Sequence, residues 1–486
     1  MTQPWENTKI RALLERLCTL ENESYLVGGA IRDALMGRPP RLEIDVAARG
    51  DGYEIARTVA DHTEGGRFVG LDKERGAGRI VLVHEDYASV DVSSFKGESI
   101  LEDLTLRDFT INALAVKLED LFGEGLPSII DPTCGATDLR SGTIRACSAR
   151  AFDDDPVRIL RAFRFSAQLG FAIDPATIEL IPLRLPGLSR VAGERIRDEL
   201  MATLVADRAF PSLTEMGRAG VLSAIFPELN PMKGQEQKPY HHLDVWDHTL
   251  ETVNRIEEIM DSGEFLFGKY WPNVQERLSD ELVRDRPRIA LLKLAALFHD
   301  AGKPHTVSFD PDGRVRFFDH EKVSREIFES AVFRLKLARR ESRMIADWVE
   351  GHMRPMFLTS GSITSRSVRR LYRKFEQDTI GLLVLFLADL RATQGPARRP
   401  DEDQTALEAV KKALQICIDA GHTPPQPLLR GRDLIELFGL TPGPPFGRIL
   451  KRIAELQDAG EITSREEAIQ AAQELYEKGE RGDGWT

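Results

Sequence analysis

The chain has 486 residues, with 65 Lys and Arg against 77 Asp and Glu, so its formal net charge is −12. Its composition, 42% hydrophobic and 29% charged, is typical of a globular protein and excludes a disordered or fibrous chain. The negative net charge argues against a nucleic-acid partner, because phosphate binding depends on Lys and Arg, but this sum covers the whole chain and leaves its segments untested.

Several global features predict a cytoplasmic chain without a membrane span. The first thirty residues lack the basic start and apolar core of a secretory signal. The uncharged apolar run at residues 381–388 is far shorter than the roughly 18 residues that a span requires. The four cysteines are scattered and form no CxxC pair, so we expect neither a disulfide framework nor a thiolate zinc site.

The first 150 residues predict an α/β head. Apolar spacing predicts helices at residues 9–20 and 31–36. The β-prone runs, separated by Gly and Asp, predict strands at residues 24–27, 42–47, 78–84, 89–94 and 128–131.

From residue 153 the strand signals stop, and helical periodicity predicts an all-helical remainder. Residues 158–218 contain nine Arg, no Lys and seven acids, which makes them net positive inside an acidic chain. Seven of the ten His lie between residues 241 and 352, and residues 395–400 resemble a linker. We therefore predict an α+β fold. Its expected parts are a head at 1–150, an Arg-rich neck at 151–235, a His-rich domain at 236–395 and a tail at 396–486.

Two features of the head point to phosphate and metal chemistry. A predicted strand ends in Gly28 and Gly29, where the backbone can approach a ligand closely and the next helix offers N–H groups to an anion. Glu43 and Asp45 lie two apart on a predicted strand, so their carboxylates share one face and could hold Mg²⁺ together with substrate phosphates. Asp91 could add a third oxygen ligand. Either feature alone is more often a plain turn or an exposed acidic strand, whereas their joint occurrence is more specific.

A series of motifs between residues 25 and 200 resembles one family. In chain order they are GGAIRD at residues 28–33 with LEIDV at 42–46, LRDFTINAL at 106–114, the Asp-Pro and Gly pattern of 131–145, DDPVR at 154–158, and ERIRDEL at 194–200. These motifs resemble the class II template-independent RNA nucleotidyltransferases, which include bacterial tRNA CCA-adding enzymes and poly(A) polymerases. Glu43 stands where this family usually has Asp. Because Glu binds the same hard cation, we expect activity to be retained.

The resemblance implies a polymerase-β-like head in which a ribose hydroxyl attacks the α-phosphorus of a nucleoside triphosphate. Glu43, Asp45 and Asp91 are the implied catalytic residues, with Glu43 and Asp45 holding Mg²⁺. The implied nucleotide-binding residues are Gly28, Gly29 and Arg32 at the triphosphate, Arg107 at a phosphate or the sugar, and Asp108 and Asn112, on a predicted helix face, at the sugar.

The resemblance assigns nucleotide choice to Asp155 and Arg158. Three residues apart on a predicted helix, they are neighbours, and a carboxylate with a guanidinium can match the edge of cytosine or adenine. The alternative is an ordinary salt bridge between positions i and i+3. Arg161 and Arg164 are further candidates for nucleotide binding. The other Arg residues of the neck either contact the tRNA backbone or are helix-surface charges.

The His-rich domain predicts a second metal site. The residues His248, His299, Asp300, His320, His352 and Asp389 occur in the order that is typical of the HD superfamily of metal-dependent phosphohydrolases, which this region resembles. Imidazole and carboxylate groups bind transition metals such as Mn²⁺, Ni²⁺ or Co²⁺. The resemblance implies hydrolysis of a cyclic or terminal phosphate on RNA, and the alternative is an inactive HD scaffold.

The leading hypothesis is a tRNA nucleotidyltransferase that builds or repairs the 3′ CCA end from CTP and ATP. A poly(A) polymerase, or an enzyme that adds only A or only CC, shares the same motifs. From other classes, the alternatives are an HD phosphohydrolase with a non-catalytic nucleotide-binding head and a non-catalytic RNA-binding scaffold. The tail either helps to hold tRNA or is a small packing module. No membrane partner is expected, and the sequence does not predict an oligomeric state.

Overall fold

The computed structural model of the chain describes residues 5, 7–21, 23–39, 42–82, 88–123, 127–238, 241–311, 314–360, 364–395, 399, 401–422, 427–439, 443–458, 461, 462 and 464–480. Most of the predicted linker at 395–400 and the end of the predicted strand at 78–84 lie outside these residues. The chain forms two compact units, Met1–Ile225 and Phe226–Thr486, and each is described by itself.

The first unit is built on a mixed sheet of seven strands. They are β1 (Ser24–Val27), β2 (Glu43–Ala48), β3 (Gly66–Asp72), β4 (Ala77–Leu82), β5 (Ala88–Ser94), β6 (Ala115–Lys117) and β7 (Ile129–Ile130). Their order across the sheet is β3-β4-β5-β2-β1-β6-β7. The β2 and β5 strands pair in parallel, whereas the other neighbouring pairs are antiparallel.

The predicted strands correspond to β1, β2, β4, β5 and β7, with ends displaced by at most two residues among those described. The sequence pattern predicted neither β3 nor β6. The β3 strand is an edge strand with two glycines and mostly exposed side chains, so it lacks the apolar alternation on which the prediction depends. The β6 strand has three residues, too few to show a period.

Eleven α-helices among the described residues of the first unit surround this sheet or follow it. They are α1 (Thr8–Leu20), α2 (Gly29–Leu35), α3 (Gly52–Asp61), α4 (Ile100–Thr105), α5 (Gly135–Ser141), α6 (Ala151–Asp154), α7 (Arg158–Leu169), α8 (Pro175–Leu180), α9 (Gly193–Val205), α10 (Phe210–Arg218) and α11 (Val221–Ile225). The side chains of Asn7 and Asp51 cap α1 and α3. Both helices pack their apolar residues into the core cluster that contains Ile44 and Val46 of β2.

The second unit is mainly helical. Its helices are α12 (Val245–Asp261), α13 (Gly263–Phe267), α14 (Trp271–Ser279), α15 (Arg288–Phe298), α16 (His320–Phe333), α17 (Arg339–Gly351), α18 (Phe357–Ser360), α19 (Ser365–Phe375), α20 (Thr379–Ala392), α21 (Glu402–His422), α22 (Gly431–Phe438), α23 (Pro444–Asp458) and α24 (Arg465–Glu480). The α15 and α20 helices are apolar along most of their length and almost fully buried, as expected for central helices. No described helix is long and apolar enough to cross a bilayer.

Three two-stranded pairs within the described residues include strands after residue 153, where only helices were expected. They are β8 (Thr143–Ile144) with β9 (Ala172–Ile173), β10 (Glu281–Val283) with β11 (Arg286–Pro287), and β12 (Val307–Phe309) with β13 (Val315–Phe317). Each contains strands of only two or three residues, which leave no periodic signal in the sequence. The α+β class itself is confirmed, with the seven-stranded sheet confined to the first unit.

Candidate functional site

The acidic residues of the head lie in the middle of the sheet. Ile44 and Val46 are buried, whereas Glu43 and Asp45 are exposed, so the two carboxylates share one face of β2. Asp45 is opposite Asp91 in the parallel pairing of β2 with β5. Two neighbouring strands therefore bring the three carboxylates together, with Asp91 in the position that was expected for a third oxygen ligand.

The glycine turn lies against this acidic face. Asp45 is opposite Val27, the last residue of β1, and Gly28 follows with φ of +75°, a conformation that favours glycine. A Cβ atom on Gly28 would lie 3.6 Å from Asp45 Oδ2 and 3.6 Å from Arg107 Nη1. Because Gly28 has no side chain, the charged groups of Asp45 and Arg107 can lie close to the backbone of this turn.

Charge repulsion is built into this site. The protein packed around Asp45, followed by the Asp91 carboxylate, raises the Asp45 pKa, whereas Arg107, Arg161 and Arg79 act in the opposite direction. The Asp45 side chain nevertheless reaches solvent. A hard divalent cation beside this carboxylate would relieve the repulsion, so the donor set fits Mg²⁺.

Asp91 has a partner that the sequence analysis missed. Arg79, directly opposite on β4, donates to both Asp91 carboxylate oxygens at 2.6 and 2.8 Å. Pairing across antiparallel strands depends on their register, and the sequence contains no local signal for it. Because Arg79 engages both oxygens of Asp91, the acidic oxygens of the site that lack a partner among the described residues belong to Glu43 and Asp45.

One cleft of about 160 Å³ collects most of the predicted head residues. It is lined by Gly29, Arg32, Glu43, Asp45 and Asp91, together with Arg79 and other residues of α2 and β2. The structure therefore brings these residues together, while their chemical roles remain predictions.

Arg32 connects the glycine turn to the second motif. Its guanidinium donates to Asp33 at 2.8 Å and to Asn112 Oδ1 at 2.7 Å, and it lies 5.2 Å from the Phe165 ring. Arg32 is buried, so these contacts hold it in one orientation at the wall of the cleft. Asp33 therefore orients Arg32, as its position next to that residue suggests.

The expected helix through Asp108 and Asn112 is wrong. Asp108 lies in a bend, and Asn112 ends a short 3-10 helix, Thr110–Asn112. The two side chains still meet, because Asn112 Nδ2 donates to Asp108 Oδ1 at 3.2 Å. The bend, and not helical spacing, brings them together.

Asp108 is held by a strong ion pair. Arg161 donates to its carboxylate at 2.7 Å, and the Phe109 backbone N–H donates at 2.8 Å. Burial would raise the Asp108 pKa, but Arg161, Phe109 and Asn112 together hold it well below the usual range. Asp108 is therefore a permanently charged acceptor at the edge of the site.

Two Arg residues of α7, Arg161 and Arg164, pair with acids. Arg164 donates to Glu199 on α9 at 2.6 Å, and Arg161 approaches the same carboxylate at 3.5 Å. Glu199 belongs to the motif at 194–200, but its role as a partner for two Arg residues was not predicted. These two cations thus join α7 to α9 through Glu199.

Asp155 and Arg158 do not form the predicted pair. Asp155 follows α6 in an extended conformation, and its carboxylate pairs with Arg195 at 2.6 Å. The buried Arg158 guanidinium donates instead to the backbone carbonyls of Leu106, Arg107 and Ala151 at 3.0 to 3.2 Å. The i,i+3 geometry fails because no helix runs through both residues.

In the second unit, the six predicted metal ligands converge from five segments. His248 lies in the first turns of α12, His299 and Asp300 follow α15, His320 begins α16, His352 follows α17, and Asp389 lies near the end of α20. They form two groups with ligand atoms within 4.8 Å of one another, namely His248, His299 and Asp389, and Asp300, His320 and His352. Residues separated by more than 140 positions thus share one buried site.

Backbone carbonyls orient three of the imidazoles. Nδ1 of His299, His320 and His352 lies 2.7 to 2.8 Å from the carbonyls of the residues three positions earlier. A carbonyl can only accept, so each Nδ1 carries a proton, and in the neutral ring the lone pair of Nε2 points inwards. This tautomer is the one that a metal-binding histidine requires.

Asp300 is the centre of the cluster. Its Oδ2 lies 3.2 Å from His299 Nε2 and 3.6 Å from His248 Nε2, while its Oδ1 lies 3.2 Å from His320 Nε2. One oxygen therefore faces each group of ligands, which is the arrangement that a carboxylate bridging two metal ions needs. The donor set of neutral imidazoles and carboxylates fits divalent transition metals.

Two polar neighbours of this cluster were not predicted. Lys303 Nζ lies 2.6 Å from Asp300 Oδ2 and 2.7 Å from Gln237 Oε1. The His-Asp-Ala-Gly-Lys spacing was the only local indication of the contact between Lys303 and Asp300, because it sets Lys303 one turn after Asp300. His241, which the predicted ligand set leaves out, packs against His248 with ring centroids 4.6 Å apart.

Three family models match the chain in collinear order. The poly A polymerase head domain matches residues 24–145, the probable RNA and SrmB-binding site of polymerase A matches residues 170–233, and the HD domain matches residues 245–393.

Relatives of the chain match it over nearly its whole length. An A-adding tRNA nucleotidyltransferase of Deinococcus radiodurans is 32% identical, covering 91% of this chain and 93% of the relative. A CC-adding tRNA nucleotidyltransferase of Geobacter sulfurreducens is 34% identical, covering 92% and 90%. The chain belongs to the tRNA nucleotidyltransferase family. Membership confirms the expected nucleotidyltransferase class, including its HD domain.

Solved structures of CCA-adding enzymes share the fold. The Thermotoga maritima CCA-adding enzyme complexed with tRNA has a TM-score of 0.62 at 23% identity, covering 96% of this chain and 94% of that one. A CCA-adding enzyme in complex with CTP has a TM-score of 0.64 at 22% identity, covering 96% and 95%. At these identities the likeness establishes the fold of this family member, in agreement with the predicted α+β class.

Proposed function

We propose that this nucleotidyltransferase extends the 3′ end of tRNA with the residues of the CCA sequence, using CTP and ATP. The observation that carries the proposal is the exposed pair Glu43 and Asp45 beside the Gly28 turn, in a chain that belongs to the tRNA nucleotidyltransferase family. A tRNA substrate also agrees with the cytoplasmic location expected from the sequence.

Glu43 and Asp45 would hold Mg²⁺, since Arg79 occupies both oxygens of Asp91. When bound, the metal lowers the pKa of the attacking ribose hydroxyl and offsets the charge of the departing pyrophosphate. The residues of the chain supply the remaining functions. Gly28 and Gly29 leave room for the triphosphate, and the guanidinium of Arg32, held by Asn112, faces it.

Electrostatics around Arg107 support phosphate binding. Arg107 pairs with Asp103 at 3.0 Å and lies near Lys96 and Arg158. Burial, followed by these two guanidinium groups, lowers the pKa of Lys96, which is the mark of a crowded positive corner. An incoming triphosphate would neutralise this corner, and Asp108 with Asn112 would accept and donate hydrogen bonds at the sugar.

We also propose that base selection depends on Asp155 and on two Arg residues, Arg195 and Arg158. In this structure Arg195 pairs with Asp155, and Arg158 is bound to three carbonyls. A nucleotide base that offers an exocyclic amine can take over the Asp155 carboxylate, which displaces Arg195. Cytosine and adenine have this amine, whereas uracil does not.

Partial addition is the second candidate. The A-adding relative and the CC-adding relative are each more than 30% identical to this chain and match over nine-tenths of its length. An enzyme that adds only A or only CC would have the same site, because both nucleotides meet the same catalytic carboxylates.

One experiment separates these candidates. The purified chain is incubated with Mg²⁺, labelled CTP or ATP, and tRNA ending at the discriminator base, at C or at CC, and the added length is read on a gel. Stepwise addition of C, C and A that then stops supports full CCA addition. Addition of CC alone or A alone supports a partial enzyme, and long A tracts support a poly(A) polymerase. No incorporation would contradict the proposed transferase and favour the phosphohydrolase or scaffold alternatives.

The HD cluster is proposed to be a second active site that hydrolyses a cyclic or terminal phosphate ester. Support comes from the inward Nε2 atoms of the three oriented imidazoles and from the central Asp300. When bound, Mn²⁺, Ni²⁺ or Co²⁺ would make water a nucleophile at neutral pH. The test is release of product from 2′,3′-cyclic nucleotides with each metal. A His299→Ala/Asp300→Ala variant that hydrolyses them equally fast would contradict the proposal.

A further inference from the structure

Helix α19 carries five positive charges and no negative charge. Its 11 residues, SRSVRRLYRKF, include no acid, although the chain as a whole has a net charge of −12. Val368, Leu371 and Phe375 form its buried apolar stripe. The exposed side chains include all its cations, namely Arg366, Arg369, Arg370, Arg373 and Lys374.

Helix α23 packs beside α19 and extends this charge. Arg373 donates to the backbone carbonyl of Ala454 on α23 at 3.2 Å. Lys451, one turn before Ala454, and Arg448, about one turn earlier, are both exposed. We define the cationic face as the exposed cations of both helices: Arg366, Arg369, Arg370, Arg373, Lys374, Arg448, Lys451 and Arg452.

Part of this charge has no acidic partner among the described residues. Arg366 pairs with Glu461, and Lys374 lies 3.5 Å from Glu350. Arg369 and Arg370, in contrast, form neither an ion pair nor a hydrogen bond with any residue that the structure describes. The paired Arg residues of α7 and α9 differ in this respect, because Asp108, Glu199 and Asp155 offset them.

We propose that the cationic face binds the sugar-phosphate backbone of the RNA substrate. The inference rests on the proposed function, which supplies tRNA as the RNA, and it adds a surface outside residues 170–233, the segment that matches the RNA-binding family model. Four of the five cations of α19 are Arg, whose planar guanidinium can bind a phosphate through two hydrogen bonds.

The structure favours RNA over a lipid surface. A helix that binds a membrane through its basic residues also needs an exposed apolar side to enter the bilayer. The apolar side of α19 is buried within its own unit through Val368, Leu371 and Phe375. Only charged and polar side chains are left at its surface, and these suit a phosphate backbone.

The test compares tRNA binding by the full chain and by an Arg369→Ala/Arg370→Ala variant. Fluorescence anisotropy of labelled tRNA lacking CCA is measured from 50 to 300 mM salt. Loss of two phosphate contacts should reduce the slope of log Kd against log salt by about 1.5 and raise Kd about tenfold at moderate salt. An Arg369→Lys/Arg370→Lys variant should keep most of the slope, because it keeps both charges.

The matched control is Arg57→Ala/Arg67→Ala, which removes two exposed Arg residues from α3 and β3. It should bind tRNA like the parent chain. An unchanged Kd and slope in the α19 variant, or equal losses in the control, would overturn the inference. The inference would also be overturned if the α19 variant lost binding only to phosphatidylserine vesicles, tested in parallel, and still bound tRNA normally.

Nucleotide addition is scored separately, so that the two proposals can fail independently. A parent chain that binds tRNA through α19 but adds no nucleotide contradicts the proposed function and supports the cationic face. A parent chain that adds nucleotides, and whose α19 variant binds tRNA normally, overturns only the cationic face. A parent chain that does not bind tRNA overturns both.

Discussion

The Nε2 atoms of His320 and His352 lie 3.2 Å apart. Each ring donates its Nδ1 proton to a backbone carbonyl, so in the neutral rings two lone pairs face each other. Asp300 Oδ1 lies 3.2 Å from the first Nε2 atom and 3.6 Å from the second. Three acceptors converge on one point, and a divalent cation there would replace their repulsion with coordination.

Metal binding should therefore stabilise the second unit. At a free Mn²⁺ concentration of 100 times Kd, the free energy of unfolding should rise by about 2.7 kcal/mol. Differential scanning calorimetry of the metal-free chain, with and without Mn²⁺, would measure this as an increase in Tm. The increase should disappear in His352→Ala and persist in His305→Ala, which changes an exposed histidine outside the ligand set. A similar increase in both variants would argue against the site.

Removing the charge of Asp45 should stop nucleotide addition. Asp45→Asn keeps the shape of the side chain but removes a carboxylate that we propose holds Mg²⁺, so incorporation should fall by about a thousandfold or more. The substitution also removes repulsion with Asp91, so the Tm should not fall. Glu43→Asp, which restores the residue usual in the family, should remain active. Substantial addition by Asp45→Asn at unchanged Mg²⁺ would contradict the assignment.

Arg158→Ala should act mainly on stability. The substitution leaves the carbonyls of Leu106, Arg107 and Ala151 without a charged donor, so the free energy of unfolding should fall by about 2–4 kcal/mol. Urea denaturation would measure it. The sequence-based expectation is different, namely that this variant would chiefly blur nucleotide choice. An Arg158→Ala chain of normal stability with relaxed choice between CTP and ATP would favour that expectation.

Arg195→Ala provides the contrasting case. Its pair with Asp155 is partly exposed, so the free energy of unfolding should change by less than about 1 kcal/mol. Because the Asp155 carboxylate loses its competing partner, the ratio of kcat/KM for CTP to that for ATP should change. The ratio is measured with tRNA ending at C and at CC. A marked loss of stability, or an unchanged ratio, would count against the proposed role of Asp155.

The buried pair of Lys293 and Glu257 should be sensitive to removal of one partner. Their side chains are 3% and 0% exposed, lie 2.9 Å apart, and join α15 to α12, the helices associated with His299 and His248. Lys293→Met should lower the free energy of unfolding by about 3–5 kcal/mol, because it leaves a buried carboxylate without its cation. The double variant Lys293→Met/Glu257→Leu should recover most of this loss in urea denaturation.

An exposed pair is the control for this prediction. Arg11 and Glu15 are separated by 2.9 Å on α1, with side chains 45% and 50% exposed. Arg11→Ala should change the free energy of unfolding by less than about 1 kcal/mol. Equal effects of Arg11→Ala and Lys293→Met would show that burial does not decide the strength of these pairs.

Local features of the head could be predicted from the sequence because they depend on backbone periodicity. Alternation along β2 sets Glu43 and Asp45 on one face, whichever strands lie beside them. The predicted helices through Asp108 and through Asp155 were wrong. Asp108 lies in a bend, and Asp155 lies outside any helix. The spacing of three or four residues was real, but a helical interpretation of it was wrong.

The sequence by itself determined the class of fold, the glycine turn, the acidic pair on β2, and the order of the six HD ligands. Tertiary structure alone decided which distant groups meet: Asp91 with Arg79, Asp108 with Arg161, and Asp155 with Arg195. It also decided that Arg161, Arg164 and Arg195 of the neck pair with acids, whereas Arg369 and Arg370 of α19 have no such partner among the described residues. The physical reason is that periodicity belongs to a segment, whereas the partner of a charge depends on which segments pack together.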